Sequence, residues 1–140
     1  MAIFGSDGFR CKYGRNFLTE EFIKRFATCL AYYYVSEGFS KPVVIARDTR
    51  KSGKFIEKEI IDICLEKGIE VFIAGVLPTP GLSKILENGD YAFGCMITAS
   101  HNPPEDNGIK LLRGDGFKID LDAQEKIESS MINYHENITN

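Results

Sequence analysis

Apolar positions recur along this chain in two alternating periods, and the alternation predicts its elements. From Thr19 to Glu37, the residues Phe22, Phe26, Leu30 and Tyr33 fall three or four apart, on one face of a helix. Thr19 can cap that helix, Glu20 and Glu21 suit its positive end, and Gly38 stops it. Pro42 to Ala46 is a short continuous apolar run, read as a buried strand. Phe55, Ile56, Ile60, Ile63, Cys64 and Leu65 restore a helical period, with Ser52 as a candidate cap and Gly68 as the stop. Glu70 to Val76 predicts another strand, and Pro78-Thr79-Pro80-Gly81 opens a short helix through Leu86. Tyr91 to Ile97 is again strand-like, Asp106-Asn107-Gly108 reads as a turn, and Ile109 to Leu112 as a further strand. Gly114 to Lys118 is a turn into a short extended piece. A last helix begins at Asp122, with Glu125 as capping partner and Leu121, Ile127 and Met131 as a sparse apolar side. At the amino end, Ala2 to Arg10 reads as a short strand running into the turn Gly5-Ser6-Asp7-Gly8. After Asn133 the chain is polar and expected to fray.

Strand and helix in alternation predict an α/β fold: a three-layer α/β/α sandwich, its mixed sheet mainly parallel and helices on both faces. In such sheets ligands sit beyond the carboxyl ends of the strands. Arg47, Thr79 and Ser100 each follow such an end, so three loops are expected to converge on one edge.

Composition narrows the function. One domain of 140 residues with 44% hydrophobic residues can bury a real core. A formal charge of −3 gives no general attraction to nucleic acid or to an anionic membrane. No apolar run approaches the roughly 20 residues of a membrane span, and MAIFGSDGFR lacks the apolar centre of a signal peptide. A cytoplasmic location follows as an expectation. Cys11, Cys29, Cys64 and Cys95 are scattered without a CxxC, as buried free thiols in a reducing compartment would be. The sequon Asn137-Ile138-Thr139 would then go unused. Tyr32-Tyr33-Tyr34 suggests base stacking, but the helical period already accounts for most of these rings as core. Asp115, Asp120 and Asp122 fit no calcium loop, and turn and cap roles explain them.

The chemistry collects between Tyr91 and Leu112. A buried strand stops at Thr98-Ala99-Ser100-His101-Asn102-Pro103-Pro104, where two prolines forbid further pairing and fix a loop. Lys110 follows the turn. A hydroxyl, an imidazole and an amine thus meet solvent where a core strand ends, although the same residue types make ordinary turns. The string TASHNPPEDNGIK resembles the active-site serine loop of the phosphohexomutases, which interconvert sugar 1- and 6-phosphates. FGSDGFR is similar to that family's amino-terminal FGTDGIR, with Ser6 and Phe9 as conservative departures. ARDTRKSG resembles its GRDTRxSG loop, which supports the serine, and LPTPGLS its PTPA segment, read as scaffold.

The resemblance implies that Ser100 carries the phosphoryl group and that Arg10 contacts the phosphate, a role suited to its planar charged fork. It implies Lys110 as acid or base at the sugar hydroxyl, with His101 able to share that role. Arg10 and Lys110 are both expected on polar loop edges. One Mg²⁺ ion would bind through phosphorylated Ser100, its other ligands coming from a second domain. The family's enzymes have four domains, and this chain is similar to the first, spanning 1–140. It is read as that domain in truncated or excised form, inactive alone, its partners being a sugar phosphate and the missing domains. The compact HNPPEDNGIK loop and DGFKI look more like phosphoglucosamine mutases than like glucose-specific enzymes; phosphomannomutases and phosphoglucomutases are the alternative. Self-association through surfaces the other domains would cover is also expected. A non-catalytic anion-binding or interaction module is the second reading. Hydrolase chemistry is disfavoured because His101, adjacent to Ser100, is poorly placed as its triad base. A dinucleotide site is disfavoured because no GxGxxG follows the first strand.

Overall fold

A computed structural model of the chain describes residues 8–12, 14 and 18–134. Its elements run β1 (Phe9–Lys12), α1 (Glu20–Ser36), β2 (Val43–Arg47), α2 (Gly53–Glu66), β3 (Val71–Val76), α3 (Thr79–Glu87), β4 (Phe93–Ile97), β5 (Asp106–Arg113) and α4 (Leu121–Ile132). The strands form one sheet in the order β1-β5-β4-β2-β3. β2 pairs in parallel with both β3 and β4, while β5 runs antiparallel to β4 and β1 antiparallel to β5.

The layers explain why the central strands read as unbroken apolar runs. Val43 and Ile45 of β2 pack into a large cluster under α1, α2 and α4, while Val44 and Ala46 face a smaller one under α3. A strand covered on both faces has no polar side to alternate with. Three helices on one face and one on the other make the expected three-layer sandwich an unequal one. In the larger layer the Phe9 ring meets Phe22 at 5.2 Å and Phe26 at 5.4 Å, both edge-on, so α1 clamps β1 to the sheet. At the far edge β3 leaves Phe72, Ile73 and Val76 exposed.

Several local expectations are corrected. Asp106-Asn107-Gly108 is not a turn but the start of β5; the chain reverses earlier, where the Asp106 amide donates to Pro103 O at 3.0 Å. Two prolines complete that reversal without help from Asp-Asn-Gly. Phe9–Lys12 is a strand, whereas the strand and turn expected over residues 2–7 lie outside the described residues, as does the tail from 135. α4 is capped by Asp120, whose carboxylate accepts from the Ala123 amide at 2.9 Å, rather than by an Asp122–Glu125 pair. Ala123 takes the core place expected of Leu121, which is exposed. Phe55 and Leu65 also face solvent, because Ile56, Ile60 and Cys64 already fill the α2 stripe. Thr19 caps α1 as expected, its hydroxyl accepting from the Phe22 amide at 3.1 Å.

Cys29, Cys64 and Cys95 are buried free thiols. Burial pushes Cys29 up to about 11, against a smaller downward pull from Arg25, and Cys64 up to about 12. Phe26 is fully buried beneath β1. Phe26→Ala is expected to cost about 3–5 kcal/mol in urea unfolding, the range for a truncated core aromatic; a loss below about 1 kcal/mol would mean that α1 does not hold β1.

Candidate active site

Ser100 follows the carboxyl end of β4, and its backbone is unusual. Its φ is +51°, and among the described residues it is the one non-glycine in the left-handed region. A side chain there is disfavoured unless the surroundings fix the conformation. The fixing contacts come from the neighbouring loop after β2. Arg50 donates from Nη2 to Ser100 O at 2.7 Å and from Nη1 to Pro103 O at 2.5 Å and Asp106 O at 3.2 Å. One guanidinium thereby joins both ends of the 98–106 loop to its middle.

Arg50 is itself aimed by Asp48. The Asp48 carboxylate accepts from Arg50 Nε at 3.0 Å and from its amide at 3.1 Å. The same carboxylate accepts the Thr98 hydroxyl proton at 2.6 Å, and Thr98 Oγ1 accepts from the Ser100 amide at 3.0 Å. Thr98 is buried and the Arg50 side chain is only 10% exposed, so these charge-assisted bonds lie largely out of water. Farther down the loop, the Asn102 amide donates to Ala99 O at 3.0 Å and its side chain to Asp106 at 3.1 Å.

Arg10 reaches the serine from the opposite direction. It lies on β1 opposite Gly108 of β5, and its Nη2 donates to Ser100 Oγ at 3.0 Å. Gly108 makes this possible. A Cβ there would come within 2.0 Å of Phe9 O and 2.9 Å of Arg10 Cγ, so the missing side chain is the space the arginine stem crosses. Gly8 repeats the device, since a Cβ on it would lie 2.1 Å from Ile109 O.

Lys110 stands two residues beyond Gly108, opposite Met96. Residues two apart on a strand share a face, and directly opposed residues share one too. Arg10 and Lys110 therefore lie side by side on the α3 face of the sheet, near the end where β4 gives way to Ser100. Both sit in strands rather than on loop edges as expected, and both are half-buried. His101 is exposed, and among the described residues no hydrogen bond or ion pair holds it.

Of the three loops expected to converge, two meet. A hollow of about 830 Å³ beside Ser100 is lined by residues 48–52 and by Ser100, Asn102, Pro104 and Glu105. Thr79 opens α3 beyond the edge strand β3 and is not part of that lining. Arg47 belongs to β2 and points to α2, where Nε lies 3.5 Å from Glu57. Ser52 precedes α2 without a side-chain capping bond and instead accepts from fully buried Asn107 at 2.9 Å. The asparagine read as a turn signal is thus a clamp between β5 and the 48–52 loop. Sequence reasoning gave the 47–53 loop a supporting role but did not single out Asp48, Arg50, Thr98 or Gly108. The strings TAS and ARDTR held the signal, an alternation of hydroxyl, acid and guanidinium at two adjacent strand ends.

The Gly108 geometry has a direct consequence. Gly108→Ala should force β1 and β5 apart and cost about 1–3 kcal/mol, as overpacking does. Cross-strand nuclear Overhauser contacts between Phe9 and Ile109 should weaken with it. An unchanged β1–β5 register and stability would refute the close approach.

Comparison with known proteins agrees with the fold. Residues 1–137 match the family described as phosphoglucomutase/phosphomannomutase, alpha/beta/alpha domain I. Phosphoglucosamine mutase of Ligilactobacillus salivarius is 40% identical over 131 residues, covering 92% of this chain and 29% of the relative. That of Campylobacter hominis is 39% identical over all 140 residues and 31% of its own length. The chain thus spans about 30% of the length of these relatives. Among solved structures, a Thermus thermophilus protein assigned as a phosphomannomutase superposes with a TM-score of 0.79 at 30% identity, over 90% of this chain and 29% of its own. The open form of parafusin, a phosphoglucomutase from Paramecium, gives 0.79 at 25% identity over 91% and 25%. With the family matched along nearly its whole length and the fold shared, the chain belongs to the phosphoglucomutase/phosphomannomutase family, as its α/β/α domain I.

Proposed function

We propose that the protein containing this domain interconverts a hexose 6-phosphate and its 1-phosphate through a phosphoserine at Ser100, with glucosamine phosphate as the sugar. The observation that carries the reading is the serine itself. Ser100 is braced in the left-handed region with Arg10 on its hydroxyl oxygen, and loops seldom pin a serine this way without using it. The names of the sequence relatives support the glucosamine assignment. The solved structures bear phosphomannomutase and phosphoglucomutase names, so mannose and glucose phosphates are the alternative substrates.

In the proposed cycle, the bond between phosphorus and Ser100 Oγ breaks as the free hydroxyl of a bound sugar monophosphate takes the phosphoryl group. The hydroxyl proton passes to the free amine of Lys110, which becomes a cation beside the transferring group, or to the neutral imidazole of His101. The resulting bisphosphate turns over in the site and returns its other phosphoryl group to Ser100, with the proton movement reversed. A phosphoserine carries a charge of about −1.5 to −2 at neutral pH, so the transferring group needs cations around it. Arg10 is already at hydrogen-bond distance from Oγ, and Lys110 is its neighbour on the same face.

On this reading Mg²⁺ would find only part of its ligands in this domain. The Asp48 carboxylate is occupied by Arg50 and Thr98, and among the described residues no group of three acidic, histidine or cysteine side chains could hold a metal. Phosphorylated Ser100 would supply hard oxygen ligands of the kind Mg²⁺ prefers, with the remainder from outside this domain. The ion, when bound, would neutralise phosphate charge. On this reading the 140-residue domain alone does not turn over sugar phosphates.

The test uses the full-length protein. Intact mass should show one added phosphoryl group that Ser100→Ala abolishes. Arg10→Met and Lys110→Met should each lower mutase turnover by roughly 10² or more. A serine that is never phosphorylated, or wild-type rates in both variants, would overturn the reading; preference for mannose or glucose phosphate would correct the sugar alone.

A further inference from the structure

At the opposite end of β4 from Ser100 the sheet holds a second hollow, of about 310 Å³, that the phosphoryl chemistry does not use. Phe93 opens β4 there, and Arg113 closes β5. One wall is aromatic. Tyr33, Phe39 and Phe93 are mutually in contact, with ring centroids 5.5–6.1 Å apart. Ile119 and Ala123 extend the apolar lining.

The charges around the mouth are unequally satisfied. Arg113 is engaged by both oxygens of Asp115, at 3.1 and 2.6 Å. Lys126 is shared between Glu37 at 3.1 Å and Asp122 at 3.2 Å. Asp120 lines the mouth of the hollow and is exposed, and among the described residues no cation forms an ion pair with it, although its charge acts on Arg113 at longer range. One of its oxygens caps α4 through the Ala123 amide, and the other has no partner among the described residues. The Tyr33 hydroxyl likewise has no hydrogen-bond partner among them. Burial raises the Tyr33 phenol above its usual range, and Glu37, Asp120 and Asp122 add to the rise against a smaller opposing effect of Lys126. Three carboxylates and one ammonium thus act on the Tyr33 phenol.

We infer that this hollow is a binding site for a small organic cation with a compact apolar body, an alkyl- or arylalkyl-ammonium, whose charge pairs with Asp120 over the Tyr33, Phe39 and Phe93 rings. Aromatic walls attract a cation through the ring quadrupole, and an exposed carboxylate oxygen at the rim accepts its N–H donors. The apolar body fills the space between the rings and Ile119. An anion is disfavoured because both nearby cations are already neutralised. The site stands independently of the phosphoserine reading, since no residue is shared with the Ser100 edge.

The probe is phenethylammonium, titrated into the isotopically labelled chain and followed by amide chemical shifts. Saturable shifts confined to residues around Tyr33, Phe93, Ile119 and Ala123 are expected, with 2-phenylethanol, its neutral analogue, binding roughly fivefold or more weakly. Asp120→Asn removes the charge but keeps a capping oxygen. It should weaken the ammonium by a similar factor and leave the alcohol unchanged. No saturation by about 10 mM would overturn the proposal, since that corresponds to negligible affinity. Equal binding of ammonium and alcohol to the unaltered chain would also overturn it, and that comparison stands even if Asp120→Asn fails to fold.

Discussion

The candidate active site depends on one side chain that does no chemistry. Arg50 gathers the carbonyls of Ser100, Pro103 and Asp106, while Asp48 fixes its other edge. A planar guanidinium with five donors in fixed directions can do this; an ammonium on a flexible stem cannot satisfy three carbonyls and a carboxylate in one plane. The Arg50 side chain is mostly withdrawn from water, which shields its bonds to Asp48 and Asp106 O, while those to Ser100 O and Pro103 O lie at the exposed edge. The left-handed Ser100 is the result of this clamp, and the direction of its hydroxyl follows.

A second constraint supplies the charge. β1 approaches β5 so closely that glycine is required at both 8 and 108, and the vacated space carries the Arg10 stem to Ser100. The two constraints come from different parts of the chain, the loop after β2 and the strand before α1, and they meet at a single hydroxyl. Between them they leave an open hollow on the Arg50 side and a basic pair, Arg10 and Lys110, on the α3 face. On the proposed reading, a guanidinium set on the serine hydroxyl before any ligand arrives suits phosphoryl chemistry.

Much of this was legible in the sequence, for a physical reason. Helical periods such as Phe22, Phe26 and Leu30, and the unbroken runs of β2 and β4, report burial, which sets the layers. The serine loop was legible because its prolines forbid strand pairing and its polar residues have no core to enter. Side chains that reach across loops leave no such trace. Nothing in the local pattern distinguishes Arg50, which holds the serine loop, from Arg47, which turns to Glu57. Asp-Asn-Gly carried genuine turn propensity, yet pairing with β1 and the Asn107–Ser52 bond drew it into β5. Local preference yielded to tertiary hydrogen bonds, as it does where buried polar groups must be satisfied.

Whether Arg50 holds the serine loop can be measured by backbone order parameters of residues 98–106 in the unaltered chain and in Arg50→Ala. Rigid values, about 0.85, are expected in the first and values below about 0.6 in the second, with the core amide shifts of β2 and β4 preserved. A loop that stays equally rigid without the guanidinium would contradict the clamp.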